Sequence, residues 1–180
     1  MNIKCFRKKA IQPGIWQGGQ TYELCISPET ANYRDKDFEF RISTATIEVS
    51  PSVFTKFSGY NRYLVMLDND LSIERNGKRE QYERMSLFTF DSSDTIVSFS
   101  TGQDFNFMIR KGWAAPAFHI GPLHTSMSHL QGLVFAPERI TIEVSGKAYE
   151  LDQYDCLLIG KDDQEAIQLN CSTDVIFGCW

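Results

Sequence analysis

Two arginines stand inside strand-like apolar sequence, Arg41 directly after Phe38-Glu39-Phe40 and Arg62 directly before Tyr63-Leu64-Val65-Met66-Leu67. A guanidinium keeps its charge at physiological pH, so its burial must be offset by a carboxylate or by several hydrogen bonds. Its planar fork suits an anion gripped at both oxygens. The chemistry this spacing points to is recognition of a small carboxylate. The plainer alternatives are an internal salt bridge, with Glu23 or Asp104 as partner, or an arginine at a rim with its head in water.

Other chemistry has weaker support in the residues. His119, His124 and His129 lie five apart in one Pro- and Gly-containing stretch, with no His-x-His pair to aim two rings from one strand face at a metal. They read first as surface or loop-packing histidines and second as ligands or proton carriers. Five scattered cysteines without Cys-x-x-Cys suggest neither a disulfide framework nor a zinc site and read as buried or idle thiols. No Gly-x-Ser-x-Gly, phosphate-cradling loop or dinucleotide fingerprint occurs. Glu23, Glu48 and Asp104 could serve acid-base chemistry, but a chain with 23 acidic residues offers such candidates on any solvated face.

The elements that would position these residues are strands. Ile, Val and Thr total 33 and aromatics 23, against 21 Ala plus Leu, a balance that favours pleated surface over helix. In the run from Arg41 to Val49 the odd positions share one face, so Arg41 and Ser43 point the same way as Ala45 and Ile47, either exposed at a strand end or turned into a cavity. Short strands follow from Thr21 to Gly178, separated by turn residues such as Asn76-Gly77, Ser145-Gly146 and Lys161-Asp162-Asp163 at the spacing of a sandwich or barrel. The last two are Ala166 to Asn170 and Asp174 to Gly178. Glu80 to Arg84 reads as a turn, and Ala114 to Met127, with Pro116, Gly121 and Pro122, as a long connection. The rhythm pauses near 101–130 and resumes. This predicts an all-β chain of two barrel-like halves, about 1–104 and 105–180, packed as a single unit.

With 180 residues the chain is long enough to fold on its own core. A net charge of −5 argues against gripping nucleic acid through bulk positive charge. No run approaches the roughly 18–20 apolar residues that cross a bilayer, and the opening Met1 to Lys9 has no apolar signal core, so no membrane partner and a cytoplasmic location are expected.

Several strings in order together resemble the HutD/Ves family of small bacterial proteins: Trp16-x-Gly18-Gly19-x-Thr21-x-Glu23, Phe38-x-x-Arg41-Ile42-Ser43-x-Ala45, Phe54-x-x-Phe57-x-Gly59-x-x-Arg62, and Phe88-x-Phe90 followed by Asp104-Phe105-Asn106-Phe107-Met108-x-Arg110. The chain departs from the family pattern at Gln17, where many members carry an extra residue. The resemblance implies a bicupin, no bound metal or other cofactor, and a pocket whose arginine, matching Arg62, holds a small carboxylate. It also implies a tie to histidine utilisation, through regulators that restrain the pathway, or to stress responses.

The resulting expectation is a metal-free binding protein for a small carboxylate metabolite, more readily a sensor or modulator than an enzyme. Arg62 is its anchor, Arg41 and Asn106 come next, Trp16 is an apolar wall, and Thr21, Glu23 and Ser43 are further pocket residues. Gly18 and Gly19 would permit a tight turn or a close backbone approach. The alternatives are a metal-independent isomerase or lyase using carboxylates or His119, and a protein–protein regulatory module, with a homodimer as the partner to test.

Overall fold

The computed structural model describes residues 1–161 and 165–180; Asp162 and Asp163 of the expected turn at Lys161 lie outside the described residues. In chain order the strands are β1 (Asn2–Phe6), β2 (Gly14–Trp16), β3 (Gly19–Ser27), β4 (Phe40–Ile47), β5 (Ser52–Val53), β6 (Tyr60–Met66), β7 (Leu71–Arg75), β8 (Lys78–Tyr82), β9 (Phe88–Asp91), β10 (Ile96–Ser98), β11 (Gly102–Arg110), β12 (Ala117–Met127), β13 (Gln131–Phe135), β14 (Ile140–Val144), β15 (Lys147–Leu151), β16 (Cys156–Gly160) and β17 (Ile167–Cys179). One short 3-10 turn, Lys8–Ala10, follows β1, and the described residues contain no α-helix. The all-β expectation holds.

The chain forms two compact units, residues 11–114 and residues 1–10 with 115–180. The division differs from the one expected after 104, because β11 runs through that point. Its hydrogen bonds to β4 and β6 make it a central strand of the 11–114 unit. The N-terminal β1 pairs with β16 and so belongs with the later residues, a closure between distant segments that local sequence cannot signal.

In the 11–114 unit a six-stranded antiparallel sheet in the order β2-β3-β4-β11-β6-β9 accompanies a four-stranded sheet β5-β10-β7-β8. Alternation supplies the core. Ile47, Leu64, Met66, Leu71, Ile73, Phe88, Phe90 and Ile96 form one buried cluster, and Ala31, Phe38, Phe57, Tyr60 and Met108 another. The β7–β8 hairpin turns at Asn76 (φ 50°) and Gly77 (φ 85°), the left-handed pair that suits two-residue hairpins. β8 occupies the span around the turn expected at Glu80 to Arg84. Its sequence Lys-Arg-Glu-Gln-Tyr has no apolar alternation because it is a largely exposed edge strand, where charge guards against stray pairing.

The other unit is one antiparallel sheet, β1-β16-β13-β17-β14-β15, with β12 also paired to β17, around a core of Val134, Ile142, Val144, Leu157, Ile159, Leu169 and their neighbours. The long connection expected from Ala114 to Met127 is instead the strand β12. Pro122 is compatible with it because β12 pairs on one side only, and the register shifts between Gly121 and Leu123, leaving a bulge that spares the ladder a missing amide. Likewise, the two strands expected from Ala166 to Gly178 are one continuous β17. The break expected at 171–173 is part of that strand, with Cys171 buried and Ser172 and Thr173 exposed.

Candidate ligand-binding site

A cavity of about 530 Å³ opens in the 11–114 unit, a size that suits a small metabolite. Strand alternation builds its wall. β4 turns Arg41, Ser43, Ala45 and Ile47 to it; β3 adds Thr21 and Glu23; β11 adds Asp104 and Asn106; β6 adds Arg62 and Leu64. Register aligns them in rows: Thr21, Ala45 and Asp104 in one; Glu23, Ser43, Asn106 and Leu64 in the next; Arg41, Met108 and Arg62 in a third. All seven residues expected from sequence, Arg62, Arg41, Asn106, Trp16, Ser43, Thr21 and Glu23, line this one cavity.

The two arginines are held differently. Arg41 Nε donates to Glu23 Oε2 at 2.7 Å, its Nη1 to Ser43 Oγ at 3.0 Å, and its guanidinium lies 4.4 Å from the centre of the Tyr33 ring. Glu23 shares the cavity face with Thr21 by alternation and stands opposite Ser43, one step diagonal from Arg41, just before a register shift in β3. Arg62 is 5% exposed, and among the described residues no carboxylate pairs with it. Its Nη2 donates to Thr55 O at 2.9 Å, its guanidinium lies 5.6 and 5.7 Å from the Phe57 and Phe90 ring centres, and its Nε is buried without a protein partner. Burial lowers its pKa from the ordinary arginine value; Tyr33 and Asp104 oppose that shift and Arg41 adds to it.

Two more buried polar atoms on the cavity wall lack protein partners, Asn106 Oδ1 and Ser52 Oγ. With Arg62 Nε they put three unpartnered buried polar atoms on residues of one cavity wall. Asp104 Oδ1 accepts from Ala45 N at 2.9 Å. Burial nevertheless pushes its carboxyl up to about 7, against the pull of that amide, Arg62 and Arg41. The cavity thus holds two positive charges against the Glu23 carboxylate and an Asp104 carboxyl whose ionisation burial disfavours, which favours an anion.

Its mouth is apolar. Ile15, Trp16 and Val53 line it while staying 76%, 41% and 70% exposed. The Trp16 ring packs on Gly18, where a Cβ would sit 2.0 Å from the ring, and its Nε1 donates to Thr21 Oγ1 at 3.2 Å. Gly19, at φ +144°, lets β3 close on β4, since a Cβ there would meet Thr46 O at 1.9 Å. The Gly-Gly pair therefore serves both the expected close approach and the seat of Trp16.

Sequence reasoning did not single out Ser52 or Tyr33. Both lie outside the long strands, where no alternation signals which way a side chain points. The three histidines belong to the other unit and are not part of this cavity: His119 Nε2 lies 2.9 Å from Pro122 O, and His124 Nδ1 3.5 Å from Asn170 Oδ1. Among the described residues no three His, Cys, Asp or Glu side chains converge as metal ligands. The cavity's own carboxylates are one tied to Arg41 and one accepting a backbone amide.

An all-β pocket protein with these rows of inward polar residues is a cupin-type architecture, and the structural comparisons agree. The structure superposes on a cupin 2 conserved barrel domain protein from Leptotrichia buccalis with a TM-score of 0.57 at 6% identity, covering 98% of this chain and 95% of that one. Greater similarity is found to HutD from Pseudomonas fluorescens SBW25 (TM-score 0.80, 20% identity, 99% and 97% covered). A conserved protein of unknown function from Pseudomonas aeruginosa PAO1 gives a TM-score of 0.83 at 19% identity, with 99% and 97% covered. The HutD family model matches residues 8–177, and the chain belongs to the HutD family. No curated protein matches it in sequence. No helix among the described residues is long and apolar enough to cross a membrane.

Proposed function

We propose that this protein binds a small carboxylate metabolite in the cavity of its 11–114 unit without a metal, as a sensor or modulator of histidine utilisation. The observation that carries the reading is Arg62: a buried cation on a cavity wall, with an unpartnered Nε, no carboxylate in hydrogen-bond contact among the described residues, and nearby only the Asp104 carboxyl, whose ionisation burial disfavours. A fold does not hold an unneutralised guanidinium cheaply, so the missing negative charge is assigned to the guest. Arg41, already paired with Glu23, sets the field and holds the wall. The link to histidine utilisation rests on family membership.

The test is a thermal melt of the protein with urocanate, formylglutamate and other small acids. A ligand at 100 times its dissociation constant stabilises by roughly 2.7 kcal/mol. Stabilisation by at least one small carboxylate, lost in Arg62→Ala, is expected; shifts unchanged in that variant would remove Arg62 from the site.

Asp104 favours a second reading, a metal-independent isomerase or lyase, because a buried carboxyl titrating near 7 on a cavity wall is suited to moving a proton. Exchange of carbon-bound protons of a bound acid for deuterium in heavy water, abolished in Asp104→Asn, would support that activity.

A further inference from the structure

The polar atoms deep in the cavity and the apolar side chains at its mouth describe two ends of one guest. Arg62 and Asn106 are diagonal neighbours on adjoining strands, since Arg62 registers with Met108 and Asn106 lies two residues before it in β11. Such positions lie roughly 7–8 Å apart at the backbone, and their side chains reach into the same hollow. Arg62 Nε is a donor in want of an acceptor, and Asn106 Oδ1 an acceptor in want of a donor. A carboxylate satisfies the first and cannot satisfy the second, because an ionised carboxylate only accepts. Where the cavity meets solvent, Ile15, Trp16 and Val53 present exposed apolar surface, with Trp16 fixed in place by Gly18 and Thr21.

We infer that the guest is an amphipathic hydroxy- or amido-carboxylate: its carboxylate meets Arg62, an O–H or N–H beside it donates to Asn106 Oδ1, and an apolar end covers Ile15, Trp16 and Val53. This rests on the carboxylate reading above and adds the class of molecule. An orphaned buried acceptor gives strong discrimination, since a ligand lacking the donor leaves it dry and unpaired. The apolar mouth adds affinity in proportion to the surface it covers.

The experiment measures dissociation constants by calorimetry for four probes: 2-hydroxy-4-methylpentanoate, its deoxy analogue 4-methylpentanoate, its 2-methoxy analogue, and glycolate. The hydroxy acid is expected to bind about tenfold tighter than the deoxy and methoxy acids, and at least about tenfold tighter than glycolate, which lacks the apolar end. In Asn106→Leu the advantage of hydroxy over deoxy disappears while the advantage over glycolate stays; Val53→Ser does the reverse, narrowing the gap to glycolate alone. Equal binding of the hydroxy and deoxy acids, or tighter binding of the methoxy acid, overturns the donor at Asn106. Equal binding of glycolate overturns the apolar end. These outcomes leave the carboxylate reading standing, whereas failure of all four to bind at millimolar concentration contradicts that reading too.

Discussion

Arg41 and Arg62 stand in one row of the sheet, each in register with Met108 from opposite sides of β11, and only Arg41 has a carboxylate. Two like charges stand on one cavity wall, one paired with a carboxylate and one not, and the proposed function assigns the first to holding the structure and the second to holding a guest.

Arg62→Met keeps the stem between Phe57 and Phe90 and removes the charge. Replacing a buried, unpaired cation by an apolar side chain of similar length is expected to leave the ligand-free protein as stable as before or to stabilise it by about 1 kcal/mol or more, a rise of a few degrees in melting temperature. The same variant is expected to lose carboxylate binding by about ten-fold to several hundred-fold, seen by calorimetry. A clear loss of stability would show that Arg62 holds the fold.

Arg41→Met should behave in the opposite way. It strips Glu23 and Ser43 of their partner, so a destabilisation of about 1–2 kcal/mol in a urea titration is expected. Pairing it with Glu23→Gln should recover part of that loss, because the two changes remove one interaction between them.

Asp104 sets the pH dependence. Its folded pKa is raised to about 7 from an ordinary value of 3.8, so between those values the folded state binds more protons than the unfolded one. Stability of the ligand-free protein therefore falls as pH rises across that window, and this loss is complete above about pH 8. The groups that act on Asp104 are the Ala45 amide, Arg62 and Arg41, which favour ionisation, and Asp68, which opposes it. Above pH 7 the ionised carboxylate competes for the field of both arginines, so carboxylate affinity is expected to fall several-fold to about tenfold between pH 6 and 8.5. In Asp104→Asn both profiles flatten across this window, which calorimetry at several pH values will check.

Gly19→Ala forces a side chain against Thr46 O in a backbone conformation that L-residues rarely adopt. A cost of about 1–3 kcal/mol is expected in chemical denaturation. Because β2 turns back through this position, the fluorescence of Trp16 should shift as well, while Gly77→Ala, at a turn with open space, should leave it unchanged.

Much of the site was legible because period-two alternation is a local property. Arg41 and Ser43 declare their shared face in the sequence, and β11 places Asp104 and Asn106 by the same rule. Arg62 stood out because a cation beside a run of large apolar residues conflicts with its surroundings, and such conflicts gather at functional positions. What remained hidden depends on contacts between distant segments. Nothing near Asn2–Phe6 announces pairing with β16, nor does Lys78–Tyr82 reveal itself as an edge strand without apolar alternation. The choice of Glu23 over Asp104 as partner of Arg41 depends on how β3 and β11 flank β4, and the orphaned Ser52 hydroxyl on where the short β5 is placed.

The central claim is that Arg62 holds the carboxylate of a guest, and a crystal structure of the protein grown with the small acid that most raises its melting temperature tests it most directly. The account predicts a carboxylate oxygen about 2.7–2.9 Å from Arg62 Nε, inside the cavity of the 11–114 unit. An acid bound elsewhere, or an Arg62 turned onto Asp104 or Glu23 with the cavity unaltered by the ligand, would contradict it.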